Sequence, residues 1–326
     1  LNTIPPTPCL AWRQDLGNAG TLLFGSNYFG SALTLLLILS YGQMISALRL
    51  VLRTASGRIG LPLVLMHAAL ALVGQWLAPY SPTSFNMTES GNLQQLVAPS
   101  MQFLFGTDQF GRDVMSRVMS GSTSLVLVAG SGTLLGIASG AIVGMGSGYI
   151  GKTFDDVVMR VMDGLMSFPS LLMALLVIST LGTNVLYLVA TIGIVTTPGV
   201  SRVMRSATLS LKEQEFVQSA RLRGEWAPYI VLREILPNTL PILGVELSVR
   251  FSYSILIVAS LGFLGLGVQP PSPDWGIMIS QSRAFIGSAP WVALAPATAV
   301  ASLVVGVNLL TDGIRQASNL PRETTP

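Results

Sequence analysis

Cysteine and histidine are nearly missing from this 326-residue chain, which holds one of each, Cys9 and His67. A single cysteine excludes an internal disulfide and a cysteine-built metal site. The lone His67 sits among apolar residues and reads as a packing residue, because metal ligands come in clusters. A membrane enzyme would need a His, Cys or carboxylate constellation that these numbers do not offer. Charge is scarce too: Asp, Glu, Lys and Arg make up 10% of the chain, against about 25% in soluble domains. What fills the chain instead is apolar, 50% of residues with a mean hydropathy of +0.62. The net charge of +3 comes mostly from arginines flanking apolar runs, a pattern of membrane orientation and not of nucleic-acid binding. No cleavable signal peptide and no internal repeat is apparent.

Six apolar runs approach or exceed the ~20 residues that cross a bilayer as a helix: about 60–79, 123–148, 165–182, 184–204, 239–265 and 290–311. A further run, Ala32–Ile45, reads equally as a seventh span, an interfacial helix or an extension without function. Arginine collects in the segments Arg49–Arg58, Gly151–Arg160 and Arg202–Arg233 and in the tail with Arg315 and Arg322. The opposite loops hold only Arg112, Arg117 and Arg283. The positive-inside rule places the first set, with the C-terminus, in the cytoplasm. The loops Tyr80–Gly121 and Val268–Ala289 then face outward. The expected division is an N-terminal extension over 1–58, a membrane domain over 59–318 and a tail over 319–326.

Within the second run Gly132, Gly136, Gly140, Gly144 and Gly148 recur at every fourth residue. On a helix they form one stripe that lets another backbone approach closely, either inside the chain or at a subunit interface. Pro169, Pro198 and Pro296 interrupt other runs and bend them. Gly146–Thr153 reads GSGYIGKT and matches the phosphate-loop pattern. That chemistry needs a strand before the loop and a helix after it, in water. Here a glycine-striped membrane helix precedes it, so Lys152 reads as a membrane-edge anchor. ATP consumption, if any, falls to another polypeptide.

The segment Ser210–Pro237, SLKEQEFVQSARLRGEWAPYIVLREILP, is the charged exception between two apolar runs. With its approach residues it holds Arg202, Arg205, Lys212, Arg221, Arg223 and Arg233, six of the chain's 18 Lys and Arg. Ser210 and Glu213 form a capping-box pattern at a helix start. Glu215 near that start and Arg221 near its end suit the helix dipole. Gly224 supplies a C-terminal stop, Pro228 opens a second helix, and Pro237 ends it. Phe216, Val217 and Ala220 give the first helix an apolar patch, which suits lipid headgroups or a soluble protein. Four acidic residues, Glu213, Glu215, Glu225 and Glu234, oppose anionic lipid and favour the protein.

Gln218-Ser219-Ala220, then Gly224, then Leu236-Pro237 resembles the E-A-A-x3-G-x9-I-x-L-P loop of ABC-importer permeases, with departures at Gln218, Ser219 and Glu234. Phe105–Arg117, Met159–Asp163, Ser167–Ser170, Ser260–Gly276 and Asn308–Arg315 resemble motifs of the dipeptide, oligopeptide and nickel permeases, in their C-type subunit. The resemblance covers about residues 59–318. It implies an all-α integral membrane protein, a six-helix permease core that does no chemistry. It implies a docking loop (207–237) for an ATPase, with Glu215, Gln218, Ser219, Ala220, Arg221, Gly224, Leu236 and Pro237 as its residues. The implied partners are a second homologous permease, two ATP-binding cassette subunits that use ATP and Mg, and an extracytoplasmic binding protein, in a bacterial inner membrane. This chain itself would bind no cofactor. The implied cargo is a di- or oligopeptide, with nickel chelates or another small solute as the alternative. An ion-coupled secondary transporter would need mid-membrane carboxylates, for which Glu246 is the main candidate.

Glu246 and Arg250 lie four apart on one helical face of the fifth run. They read either as a pair lining a translocation path or as a packing pair near the cytoplasmic edge. Asp108, Arg112 and Asp113 in the outer loop read as contacts for a binding protein or as a local network, with Asp108 and Arg112 paired if that segment is helical. Trp275, after the Pro270–Pro273 turn, reads as a docking or interfacial residue.

Overall fold

The computed structural model describes residues 50–318 except Glu89. Most of the N-terminal extension, with the run Ala32–Ile45, and the tail from Asn319 lie outside the described residues. Nine helices carry the architecture of the described residues, besides short turns: α1 Ala55–Leu77, α2 Val114–Ile150, α3 Lys152–Met166, α4 Ser170–Leu181, α5 Val185–Leu211, α6 Glu215–Leu222, α7 Leu236–Phe263, α8 Trp275–Ser282 and α9 Pro290–Ser318. Of these, α1, α2, α5, α9 and the continuous rod Ala227–Phe263 are long and apolar enough to cross a membrane. The pair α3 and α4, bent by 91°, makes a sixth crossing if counted as one.

The ends of these helices follow from their capping residues. Thr54 Oγ1 accepts from Gly57 N at 3.0 Å, Asp113 Oδ2 from Ser116 N at 2.7 Å, and Asn184 Oδ1 from Leu186 N at 3.0 Å. Each satisfies an amide that would otherwise lack a partner at a helix start. Because Asp113 caps α2, that helix begins nine residues before the apolar run expected at 123. At 37 residues it is about 55 Å long, well beyond the ~30 Å apolar slab, so it projects from the membrane. Its far end stops at Gly151, φ 70°.

The glycine stripe packs inside the chain. A Cβ on Gly132 would meet Ile192, on Gly136 Thr196, on Gly140 Val200 and on Gly144 the Ser201 carbonyl oxygen at 2.3 Å. All four neighbours lie on α5, whose backbone is thus brought against α2 over successive turns, as small residues allow in lipid. Two apolar clusters result. One, around Leu125, Ile192, Val258 and Leu303, joins α2, α5, α7 and α9. The other, Met145, Val200, Met204, Val217, Ala220, Ile230 and Ile235, sits at the charged end of α2 and α5.

Two expectations need correction. The segment Gly151–Arg160 is not a loop: Lys152–Met166 is a helix with Phe154, Val157 and Val161 exposed on one face. The run 165–182 is broken: Leu165 and Met166 end α3, the chain turns sharply, and Pro169 opens α4 at Ser170. The phosphate-loop pattern, in contrast, lies where expected, at the end of the glycine-striped helix: Gly146–Ile150 belong to α2 and Lys152 opens α3.

Candidate functional site

The charged segment forms a small platform on the end of the bundle. Helix α5 runs through Ser210 to Leu211, so Ser210 and Glu213 do not make the expected capping box. Helix α6 starts instead at Glu215, with Gln214 at its cap position and no side-chain cap bond. Gly224 stops it: φ is +77°, Gly224 N donates to Arg221 O at 2.9 Å and Glu225 N to Ala220 O at 3.2 Å. Open space surrounds the position of a Gly224 Cβ, so backbone conformation and not crowding calls for glycine.

Pro237 does not end the second helix. Trp226 precedes a short turn, Ala227–Tyr229, and Ile230–Ile235 are wound as π-helix directly into α7. A wider turn of this kind accommodates a residue that cannot donate its backbone nitrogen. The platform is therefore welded to a membrane-crossing rod.

The apolar patch faces inward. Val217 and Ala220 are fully buried in the cluster with Met145, Met204, Ile230 and Ile235, so it meets the bundle and neither lipid nor a partner. Glu215, Gln218, Ser219 and Arg221 are turned outward. Gln218 Nε2 donates to Glu213 O at 3.0 Å, and the Arg221 guanidinium lies 5.1 Å from the Tyr149 ring centre. Beside them stand Leu222, 89% exposed, and Trp226, 68% exposed. These two were missed from sequence, because a leucine and a tryptophan beside apolar runs look like core until the inward face is known. Leu236 is half-buried and Pro237 exposed, and they serve the joint with α7.

A second layer of charge was also missed. Arg205 Nε donates to Asp155 Oδ1 at 2.6 Å and its Nη2 to Oδ2 at 2.5 Å, while Arg202 Nη2 reaches Asp163 Oδ1 at 2.5 Å. Two arginines of α5 thus hold the amphipathic α3 through a bidentate and a single bond. Lys212 Nζ donates to Gly148 O at 3.1 Å and caps the end of α2.

Near the middle of α7, Arg250 Nε donates to Glu246 Oε2 at 3.0 Å, so the expected pair forms. Arg250 borders a cavity of about 410 Å³ between α4, α5 and α7, lined also by Ser170, Thr196, Tyr253 and Ser254. It borders a smaller one of about 90 Å³ beside Phe168, Pro198 and Gly199.

The outer-loop residues do not present themselves to a partner. Asp108 and Asp113 are almost wholly buried and Trp275 completely so. The segment at Asp108 is not helical. Asp108 Oδ1 accepts from the amides of Phe110 and Arg112, each at 2.9 Å, and Oδ2 from Arg112 Nε at 2.7 Å, with Arg117 Nε 3.7 Å away. One carboxylate thereby fixes a turn. Trp275 Nε1 donates to Val118 O at 2.8 Å, and its ring meets His67 edge-on at 5.8 Å. His67 Nε2 is 2.9 Å from Ser302 Oγ, so Trp275 and His67 tie α1, α2, α8 and α9 together. Among the side chains the outer loop does expose are the apolar Phe85, Met87, Met101 and Phe110.

Residues 132–319 match the family described as binding-protein-dependent transport system inner membrane component. The glutathione transport system permease protein GsiD of Escherichia coli O6:K15:H31 (strain 536 / UPEC) is 39% identical over 254 residues, 78% of this chain and 82% of its own. GsiD of Shigella flexneri serotype 5b (strain 8401) is 40% identical over the same shares. An all-helical membrane bundle, an exposed charged helix on its end and these matches agree: this chain belongs to the binding-protein-dependent transport system inner membrane components, the non-catalytic, multi-pass permease subunits of ABC importers.

Proposed function

We propose that this chain forms one half of the translocation path of an importer for a peptide-like solute, and that α6 transmits the ATPase's motion to it. The observation that carries this reading is the platform: α6 is anchored by Val217 and Ala220 on α2 and α5, joined to α7 through the π-turn, and open to solvent along Gln218, Ser219 and Leu222. A helix held in this way moves only with the rods beneath it. Force applied there reaches α5 and α7, the helices that wall the Arg250 cavity. The two states of such a bundle differ by rigid movement of packed helices.

In this reading a second, homologous permease completes the path. Two cassette subunits bind ATP and Mg, and an extracytoplasmic binding protein delivers the solute. The platform and the C-terminus are cytoplasmic. The peptide-like cargo is suggested by the relatives named as glutathione permeases.

The test is co-purification with the partner subunits and ATPase turnover with and without loaded binding protein. Leu222→Glu places a charge on the outward face and leaves the buried face intact. It should weaken ATPase retention at least tenfold, as loss of an interface anchor does, without lowering the thermal midpoint of the permease. Unchanged retention and unchanged stimulation would remove α6 as the docking element. Ala220 is a poor choice for this test, since a bulky residue there disturbs the bundle itself.

A further inference from the structure

The Glu246–Arg250 pair is incomplete as an ion pair. Only Arg250 Nε and Glu246 Oε2 are joined. Arg250 Nη1 and Nη2, and Glu246 Oε1, have no hydrogen-bond partner among the described residues. A guanidinium has five donors in a rigid fork, and placing one within a membrane bundle is costly unless it faces water or a partner. Here the head of the side chain is pressed against α5 where that helix has no side chain: a Cβ on Gly199 would lie 2.6 Å from both Nη atoms. Gly199 follows Pro198 in the same helix, so the backbone is shaped to admit the fork. The Arg250 side chain is 28% exposed, and it borders the cavity.

The cavity suits a small polar solute. Its volume of about 410 Å³ falls in the ~300–1,000 Å³ range of ligand sites. Ser170, Thr196 and Tyr253 line it beside apolar Leu171, Val195, Leu256 and Ile257. Among the described residues, Glu246 is the carboxylate that pairs with Arg250.

We propose that Arg250 is a carboxylate-recognition residue of the transport path: its free Nη edge takes a carboxylate of the passing solute, while Glu246, outside the cavity lining, fixes the fork through Oε2. The inference rests on the permease reading above and names the substrate class of that path as carboxylate-bearing zwitterions. Because the pair is neutral without cargo, a zwitterion binds without leaving net charge behind. Two donors held in a plane match a carboxylate bidentately, so a solute with that group esterified loses the contact.

The experiment uses the purified assembly and an arginine-specific reagent, phenylglyoxal, with labelling of Arg250 read by peptide mass spectrometry. Glutathione at millimolar concentration should slow labelling at Arg250 about tenfold, the worth of one charge-assisted hydrogen-bonded pair. Its dimethyl ester should not slow it, and sodium sulfate should not reproduce the effect. Equal labelling with and without glutathione, or equal protection by ester or sulfate, overturns the proposal. As a second measurement, Arg250→Gln should lower glutathione moved per ATP about tenfold, with Arg250→Lys intermediate, while ATPase stimulation by loaded binding protein persists. Unchanged glutathione per ATP in Arg250→Gln overturns it equally. Loss of ATPase association in the unaltered protein would instead count against the permease reading, so the two failures are distinct.

Discussion

Asp274 shows how far a single side chain departs from expectation in this chain. It is buried at the start of α8, where Oδ1 accepts from Ile277 N at 2.9 Å, and Oδ2 has no hydrogen-bond partner among the described residues. Glycines make room for it: a Cβ on Gly262 would meet Oδ1 at 2.2 Å. Burial pushes the Asp274 carboxyl above its ordinary value, and nearby backbone amides oppose this only partly. A raised native pKa means the folded protein holds this proton more tightly than the unfolded chain. The stabilisation is therefore complete below the ordinary value of about 3.9 and is lost as pH rises through the native pKa. The thermal midpoint of the detergent-solubilised protein should fall as pH is raised from about 4 through the mildly acidic range, and Asp274→Asn should lack that component. Superimposable pH profiles for the two proteins would refute the assignment.

Helices reveal which features were legible from sequence. The glycine stripe was readable because its period of four defines one face, and the structure supplies only the partner, α5. Gly224 and Pro228 were readable as local conformational demands. The start of α6 was not, because Ser210–Glu213 satisfies the capping pattern while α5 still has helical propensity to spend through Leu211. The π-turn before Pro237 escaped for the opposite reason: proline is a stop locally, but a widened turn in a buried joint accommodates it. Helix α3 escaped because its charges resemble a loop, although their partners lie 39 to 50 residues away. That long-range pairing yields a prediction at this scale. Asp155 is 8% exposed at its side chain, so Arg205→Ala strips an almost buried carboxylate of its bidentate partner and should cost about 1–3 kcal/mol. Asp155→Ala alone should also lower the thermal midpoint, and the charge swap Asp155→Arg with Arg205→Asp should recover part of the loss. A swap no better than the sum of its single changes would show that the pair does not hold α3.

At the scale of the whole molecule, coupling depends on sidedness. The exposed surfaces at the two ends differ in kind. Around α6 the outward groups are Gln218, Arg221, Leu222 and Trp226, backed by the Asp155–Arg205 and Asp163–Arg202 pairs. The loop before α2 is braced internally by Asp108 and shows Phe85, Met87 and Met101. Arginine-rich segments favour the cytoplasmic side, so the proposed function requires the first surface to face inward and the second outward. The single native cysteine, Cys9, makes this directly measurable. In a Cys9→Ser background, Met101→Cys, at a position 98% exposed, should react with a membrane-impermeant maleimide in spheroplasts. Leu222→Cys, at a position 89% exposed, should react only in inside-out vesicles, and its labelling should drop when the ATPase subunits are present. Both positions are so open that failure to label reports sidedness or coverage and not burial. If Leu222→Cys labelled from the outside, α6 would face the compartment that lacks ATP, and energy transfer through it would be physically excluded.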